Sequence, residues 1–210
     1  MKMMLQTTVA VGFLVSVPAC GGAGVSAGAQ EAQADPGFEA GTAMNDPHDA
    51  GAHDADHALP ALPGGVDLSG DFIGASGEPN GTVMIAETPT GLLVRVDVTG
   101  VAHGFHGVHL HETGLCEPAE GFKTAGGHAN PTNAEHGFLV DGGSHAGDLP
   151  NAYAHEEGHI RTDLFKEGVT IADLRDDDGF AVMVHSGADD YESQPSGAAG
   201  SRVACAAFPG

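Results

Sequence analysis

Alternation of apolar and polar residues predicts β-strands in the last two-thirds of the chain. Every second residue from Leu92 to Val98 is apolar, which is the period of a half-buried strand. Segments 82–86 and 180–185 look similar. Turn residues at 87–91 precede the strand 92–98, and turn residues at 176–179 precede the strand 180–185. No window carries a 3.6-residue apolar stripe long enough for a substantial helix. The pattern predicts one antiparallel β-domain over residues 65–210.

Residues 121–150 interrupt this pattern with many glycines and almost no apolar periodicity. A loop of this length inside a domain is either functional or disordered. It carries three imidazoles and a carboxylate, which make a complete tetrahedral zinc set: His128, His136, His145 and Asp148. Metal binding would supply the ordering free energy that hydrophobic burial does not supply here.

A second candidate for metal binding is the pair His109 and His111, separated by one residue. Alternate side chains of a β-strand point to the same face, so the two imidazoles would lie side by side. Imidazole is a common ligand for copper and zinc. The pair alone is a weak signal, and the remaining histidines have to supply the other ligands.

The N-terminal part of the chain predicts an exported protein. Residues 1–20 contain one basic residue, Lys2, followed by an apolar run that is too short to span a bilayer and is typical of a signal peptide. The segment 17–20 resembles a bacterial lipobox, which makes Cys20 a candidate for lipidation. Simple cleavage near Ala19 or after residues 27–29 is the alternative. We expect the protein in the periplasm or cell envelope, with or without a lipid anchor.

Residues 21–64 have few large apolar side chains and predict a flexible, acidic tether rich in His, Asp and Gly. Its histidines, His48, His53 and His57, fit either a metal-scavenging tail or an ordinary solvated linker. The chain has three cysteines. With Cys20 assigned to the leader, Cys116 and Cys205 remain as one pair, in an oxidising compartment where a disulfide persists.

Charge excludes one class of partner. The chain has 7 Lys and Arg against 29 Asp and Glu, a formal net charge of −22, so it cannot neutralise a nucleic-acid backbone. Its 33 glycines and 5% aromatic residues suit short strands joined by turns.

The run 155–159 matches the zinc-protease pattern H-E-x-x-H. That chemistry needs both histidines on one helical face, with the glutamate as general base. Gly158 lies inside the pattern, and the flanking residues 152–154 and 160–162 look like the arms of a hairpin. The sequence therefore predicts an exposed turn, and a metalloprotease is disfavoured.

Several segments together resemble one family, the bacterial exported Cu,Zn superoxide dismutases. The similar segments are GFHGVHLHE at 104–112, AGGHANP at 125–131, His136-Gly137, GSHAGDL at 143–149, VHSGADDY at 184–191 and GSRVAC at 200–205. The resemblance implies an all-β fold, an eight-stranded Greek-key β-barrel or sandwich with long metal-binding and electrostatic loops.

The resemblance also implies one copper and one zinc per subunit. Copper would be held by His109, His111, His128 and His185, and zinc by His128, His136, His145 and Asp148. Asp189 would connect a ligand of each metal, His109 and His136. His106 would be structural, whereas His103, His155 and His159 have no assigned role.

The implied activity is conversion of superoxide to oxygen and hydrogen peroxide by alternate reduction and oxidation of the histidine-bound copper beside a structural zinc. His128 would bridge the metals and carry a proton, and Arg202 would attract the superoxide anion. The alternative is a catalytically inactive copper- and zinc-binding module of the same fold. A homodimer is an open option, and membrane contact is expected only through Cys20.

Overall fold

The computed structural model describes residues 60–62 and 64–210. The predicted signal peptide with Cys20, and the three tether histidines, lie outside the described residues. Nine strands form in the described part: β1 (Leu68–Gly74), β2 (Pro79–Thr88), β3 (Gly91–Val98), β4 (Gly104–His106), β5 (Val108–His111), β6 (Ala152–Ala154), β7 (Ile160–Glu167), β8 (Phe180–His185) and β9 (Arg202–Phe208).

Helical structure in the described part is short, as the absence of a long apolar stripe predicts. The α-helix α1 spans Ile171–Leu174, and two 3₁₀ turns span Pro118–Glu120 and Lys123–Ala125. Thr170 caps α1 with a capping box, in which its hydroxyl accepts from the Asp173 N–H and the Asp173 carboxylate accepts from the Thr170 N–H. Among these helices none has the length and apolar character needed to cross a membrane.

All strands pair antiparallel in one sheet, in the order β4-β6-β7-β3-β2-β1-β9-β8-β5. The end strands β4 and β5 are separated along the chain only by Gly107, so the chain itself joins the two ends of the sheet into a barrel. The expected all-β barrel is confirmed, with nine strands where eight were expected.

The additional strand arises because segment 104–111 is divided at Gly107. The Gly107 N–H donates to the carbonyl of Gly187, outside the sheet, while its carbonyl accepts from the N–H of His185 in β8. A Cβ at this position would lie 2.9 Å from that of Ala199, so the close approach of the two chain segments requires glycine.

The core follows the predicted alternation. Leu92, Val94, Val96 and Val98 of β3 are fully buried and belong to the main apolar cluster inside the barrel. Strand β8 is buried at all six positions. Its two faces cover different clusters: Val182 and Val184 join the main cluster, while Ala181 and Met183 join a second one with Phe122, Ala125 and Cys205.

The H-E-x-x-H segment is the turn between β6 and β7, as predicted. The His155 N–H donates to the His159 carbonyl, and Gly158 has a φ of +73° that favours glycine. The His159 ring contacts Asp97 of β3, with 2.7 Å between its Nε2 and a carboxylate oxygen. No helical face brings the two imidazoles together, so the protease geometry does not form.

A disulfide joins Cys116 and Cys205, as predicted, across 89 positions of sequence. Cys205 is fully buried in β9, and Cys116 packs against the second cluster, which also contains Phe122. In the chain-entropy model, closing a loop of this length stabilises the fold by about 4–5 kcal/mol. The bridge therefore ties the segment that begins at Cys116 to the barrel.

Replacing Cys116 with serine should lower the free energy of unfolding by about 2–5 kcal/mol, because the unfolded chain regains its freedom and a buried partner is lost. Denaturant unfolding of oxidised protein measures the change. Reduction of the parent protein should shift its unfolding midpoint in the same direction. Free thiols at both positions in oxidised parent protein would contradict the prediction.

Candidate metal centre

The first side chains of the site come from β5. This strand pairs with β8 on one edge, and on its other edge it receives backbone hydrogen bonds from the loop 121–150. Leu110 supplies both groups: its N–H donates to the Gly147 carbonyl, and its carbonyl accepts from the Ala129 N–H, each at 2.8 Å. A Cβ on Gly147 would lie 2.1 Å from the Leu110 oxygen, so glycine permits this docking. The loop thereby brings His128 and Asp148 against His111 and His109, respectively.

Four buried histidines converge beside β5, and we call them the four-histidine set: His109, His111, His128 and His185. One nitrogen of each lies within 4.8 Å of the others. Among the described residues, the buried ring atoms without a hydrogen-bond partner are His109 Nδ1 and the Nε2 atoms of His111, His128 and His185. Buried polar atoms are normally paired. Four orphaned imidazole nitrogens at one point therefore fit a soft-to-borderline metal such as copper.

Three of these rings are fixed through their other nitrogen. His109 Nε2 lies 2.8 Å from an Asp189 oxygen, and Nδ1 of His111 lies 3.0 Å from the carbonyl of Gly126. Nδ1 of His185 faces the Gly200 carbonyl at 3.3 Å. The ring nitrogen that faces each oxygen carries the proton and donates it, so the opposite nitrogen has a lone pair directed into the set. This is the usual support for a metal-binding histidine.

A second group, the mixed set, contains His128, His136, His145 and Asp148. Nδ1 of His128 and Nδ1 of His136 each lie 3.0 Å from Oδ1 of Asp148. Nδ1 of His145 lies 3.3 Å from that oxygen and 3.4 Å from His128 Nδ1. Three imidazoles and one carboxylate match a closed zinc site.

His128 belongs to both sets through different atoms. Its Nε2 is the orphaned atom in the four-histidine set, while its Nδ1 belongs to the mixed set. One imidazole therefore presents a nitrogen to each of two adjacent metal-type sites.

Asp189 contacts one histidine of each set. Its Oδ2 lies 2.8 Å from His109 Nε2, and its Oδ1 lies 3.1 Å from His136 Nε2. Burial alone would raise the pKa of Asp189, but hydrogen bonds from His109, the Tyr191 N–H and His136 lower it to about 2. The carboxylate stays ionised and orients both rings.

Asp148 is held as a carboxylate in the same way. Burial works to raise its pKa, but the hydrogen bonds from His128 and from the Gly137 N–H, together with His136 and His145, lower it well below the usual range. His109 and His185 are biased toward neutrality. Burial lowers the pKa of His109 to about 4 and that of His185 to about 3. A carboxylate beside neutral imidazoles is the state in which these groups bind metal.

Without metal, the protein should therefore lose stability as the pH falls from 6.5 toward about 4. The pKa of histidine is near 6.5 in the unfolded chain, whereas burial in the folded protein lowers the pKa of His109 to about 4 and that of His185 to about 3. Between these values the unfolded chain binds more protons, so protonation favours unfolding. The measurement is the thermal midpoint of chelator-treated protein against pH. A midpoint that stays constant from pH 7 to 4.5 would contradict the prediction.

Arg202 lies at the start of β9, beside the four-histidine set. Its Nη1 and Nη2 donate to the carbonyls of Phe122 and Gly126, each at 2.6 Å. The Gly126 oxygen also contacts His111, so the guanidinium and this imidazole share an acceptor. The positive charge of Arg202 contributes, after burial, to lowering the pKa of both His111 and His185. The guanidinium of Arg202 is therefore fixed next to the orphaned nitrogens by the segment that the disulfide ties down.

The remaining histidines of the described part lie outside both sets. Each ring nitrogen of buried His106 contacts a backbone carbonyl, that of His185 at 2.6 Å and that of Ala102 at 2.7 Å, which suits a structural role. His103 contacts the Tyr153 hydroxyl at the surface, and His155 packs against the same tyrosine ring.

Two supporting side chains were not found from the sequence. The Asn151 amide accepts from the Asp189 N–H and donates to the Asp189 carbonyl, both at 2.8 Å. The Gln194 amide brackets the backbone of His136 in the same manner, at 2.9 and 2.8 Å. Both residues act on backbone groups 38 and 58 positions away, and no local pattern in the sequence signals such contacts.

Residues 79–208 match the family model described as copper/zinc superoxide dismutase (SODC). The chain belongs to the copper/zinc superoxide dismutase family. The predicted membership of the copper/zinc superoxide dismutase family is thus confirmed.

Two bacterial proteins of the copper/zinc superoxide dismutase family illustrate the similarity. The chain is 38% identical over 141 residues to "Superoxide dismutase [Cu-Zn] 2" of Aquifex aeolicus, an alignment that covers 64% of this chain and 82% of the relative. It is 35% identical over 136 residues to "Superoxide dismutase [Cu-Zn]" of Caulobacter vibrioides, covering 61% and 78%.

Solved structures agree with the family fold. A double mutant of a SOD-like protein from Bacillus subtilis matches with a TM-score of 0.64 and 35% identity, over 68% of this chain and 97% of the other. The Cu/Zn superoxide dismutase from Brucella abortus matches with a TM-score of 0.57 and 30% identity, over 67% and 97%. The expected superoxide dismutase barrel is confirmed.

Proposed function

We propose that the protein converts superoxide to oxygen and hydrogen peroxide at a copper held by the four-histidine set, with zinc in the mixed set. The observation that carries this proposal is the sharing of His128, whose two nitrogens face two different metal-type sites. The family relationship and the two ligand groups support one copper and one zinc in each chain.

The overall reaction consumes two superoxide anions and two protons. One superoxide loses an electron and becomes oxygen, while the other gains that electron and both protons to become hydrogen peroxide. Copper, when bound, would supply the reversible one-electron exchange, and zinc, which has no redox chemistry, would hold the shared imidazole. The remaining tasks fall to side chains of this chain.

His128 is suited to moving a proton. Its Nδ1 is held in the mixed set by Asp148 and His145, so the ring keeps its orientation whether or not Nε2 carries a proton. Nε2 has no protein partner among the described residues and faces the point where the other three histidines converge. A proton on Nε2 would therefore be in place to be donated to the reduced oxygen species.

Arg202 is suited to placing the anion. Carbonyl groups hold two of its N–H donors, and the planar fork has further donors for an anion beside the four-histidine set. Because the net charge is −22, attraction must be local.

The proposal is tested by metal analysis of purified protein together with superoxide-consumption kinetics. We expect one copper and one zinc per chain and rapid superoxide consumption. A protein that binds both metals but does not consume superoxide would instead be the inactive binding module.

We further infer that the protein is exported, with Cys20 as the candidate lipid attachment site. Support comes from the signal-like residues 1–20 and from the disulfide, since disulfides persist in oxidising compartments. Cell fractionation and the mass of the mature N-terminus test this inference. A homodimer stays a prediction.

A further inference from the structure

Lys166 is a buried cation that the proposed reaction does not use. It occupies an inward position of β7, in line with the buried apolar residues Ile160 and Leu164, and only 8% of its surface is exposed. Lysine is almost never this buried unless its ammonium group has partners, because desolvating the charge is costly. The contacts of this ammonium therefore indicate what the residue does.

Its contacts lie in the loop 121–150. The Nζ donates to the carbonyl of His145 at 2.7 Å and to the hydroxyl of Ser144 at 2.8 Å. It also stands 5.5 Å from the centre of the Phe138 ring, within the range of a cation–π contact. Lys166 thus connects a strand of the barrel to the metal-binding loop.

The residue that Lys166 holds is a member of the mixed set. The N–H of His145 donates to Oδ2 of Asp148 at 2.9 Å, and its carbonyl accepts from Lys166, so its backbone is fixed on both sides. Its ring nitrogen lies 3.3 Å from the other oxygen of Asp148. Strand β7 pairs with β3 along its whole length, which gives Lys166 a rigid base that a glycine-rich loop lacks.

We propose that Lys166 is a positioning residue for the zinc ligand His145, and that its hydrogen bonds pre-form the mixed set before metal binds. The inference rests on the zinc site of the proposed function. Partners that orient a metal ligand typically change metal affinity 10- to 100-fold when removed, and we expect about a 10-fold effect here.

The charge of Lys166 and its hydrogen bonds should have opposite effects on zinc affinity. An ammonium group repels a divalent cation, so if its charge dominated, neutralising Lys166 would tighten zinc binding. If its hydrogen bonds dominate, as we propose, neutralising it loosens zinc binding, since His145 is no longer held. The sign of the change separates the two effects.

The experiment compares zinc affinity by chelator competition in the parent protein, Lys166→Met and Leu164→Ala. Methionine keeps the unbranched stem and loses the donors. Leu164→Ala is the matched control, because it removes packing from the same face of the same strand. We expect about 10-fold weaker zinc binding in Lys166→Met, and unchanged affinity with a lower thermal midpoint in Leu164→Ala.

Cobalt(II) in the zinc site provides a second measurement, since its absorption bands depend on ligand geometry. They should change in Lys166→Met but not in Leu164→Ala. Equal or tighter zinc binding in Lys166→Met would overturn the inference, as would an equal loss in Leu164→Ala.

If Lys166→Met does not fold, Ser144→Ala removes one acceptor and leaves the lysine in place. We expect this variant to bind zinc about 2- to 5-fold more weakly, a smaller effect than in Lys166→Met because only one of the contacts of the lysine is lost. Unchanged zinc binding would contradict the inference. A parent protein that binds no zinc would contradict the proposed function itself and not only the role of Lys166.

Discussion

Replacing His128 with alanine should abolish superoxide dismutation and weaken zinc binding in the same variant. The ring supplies Nε2 to the four-histidine set and Nδ1 to the mixed set, so one substitution removes a ligand from each. We expect the rate constant to fall by more than about 100-fold, because a proton donor and a metal ligand are lost together. Loss of a residue that only orients a metal ligand lowers metal affinity about 10- to 100-fold, and loss of the ligand itself should lower zinc affinity at least as much.

The measurements are the superoxide-consumption rate and the copper and zinc content after dialysis. Each set keeps three of its four ligands, so both metals should be retained less well than in the parent protein. His155→Ala is the matched control, since His155 is exposed in the β6–β7 turn and belongs to neither set. Parental activity in the His128 variant would refute the shared role of this residue.

The second large effect should come from Arg202. Arg202→Lys keeps the charge but loses the planar fork that donates to two carbonyls, and we expect a rate constant about 10-fold lower. Arg202→Glu replaces local attraction of the anion with repulsion, and we expect a rate constant lower by about 100-fold or more. Electrostatic steering changes association rates over a range that includes this factor. Metal content should not change in either variant.

The dependence on ionic strength tests whether Arg202 acts on the substrate. Salt screens attraction in the parent, so its rate constant should fall with salt. In Arg202→Glu salt screens repulsion, so the rate constant should rise. At physiological ionic strength the Debye length is about 8 Å, which restricts the effect to charges close to the site.

Arg175→Glu provides the control for net charge. It makes the same two-unit change, from −22 to −24, at an exposed residue that contacts the Pro209 carbonyl near the C-terminus. Its salt dependence should follow the parent. Coincident salt slopes for the parent and both Arg202 variants would show that Arg202 does not act on the anion.

The sequence by itself determined that the domain is built from β-strands and which types of side chain could bind metal. Period-2 alternation requires one face of a strand to be buried, and Leu92 to Val98 behave in this way. The histidine pair at 109 and 111 shares a face for the same geometric reason. The turn at the H-E-x-x-H segment is also predictable from the sequence, because Gly158 and the flanking strand residues are local signals.

Other features are tertiary and have no local signal. The division of segment 104–111 into two strands depends on Gly107 meeting Ala199 and Gly187, which are about 80–90 positions away. The pairing of Asn151 with Asp189, Gln194 with His136 and Lys166 with His145 likewise joins distant segments.

The physical reason is that alternation reports only which side of a strand is buried, whereas hydrogen bonds form wherever the folded backbone brings a donor to an acceptor. The sequence therefore predicted which side chains could bind metal. Only the tertiary structure decided which nitrogen of each histidine is directed at the site, and which carboxylates, amides and lysine hold it there.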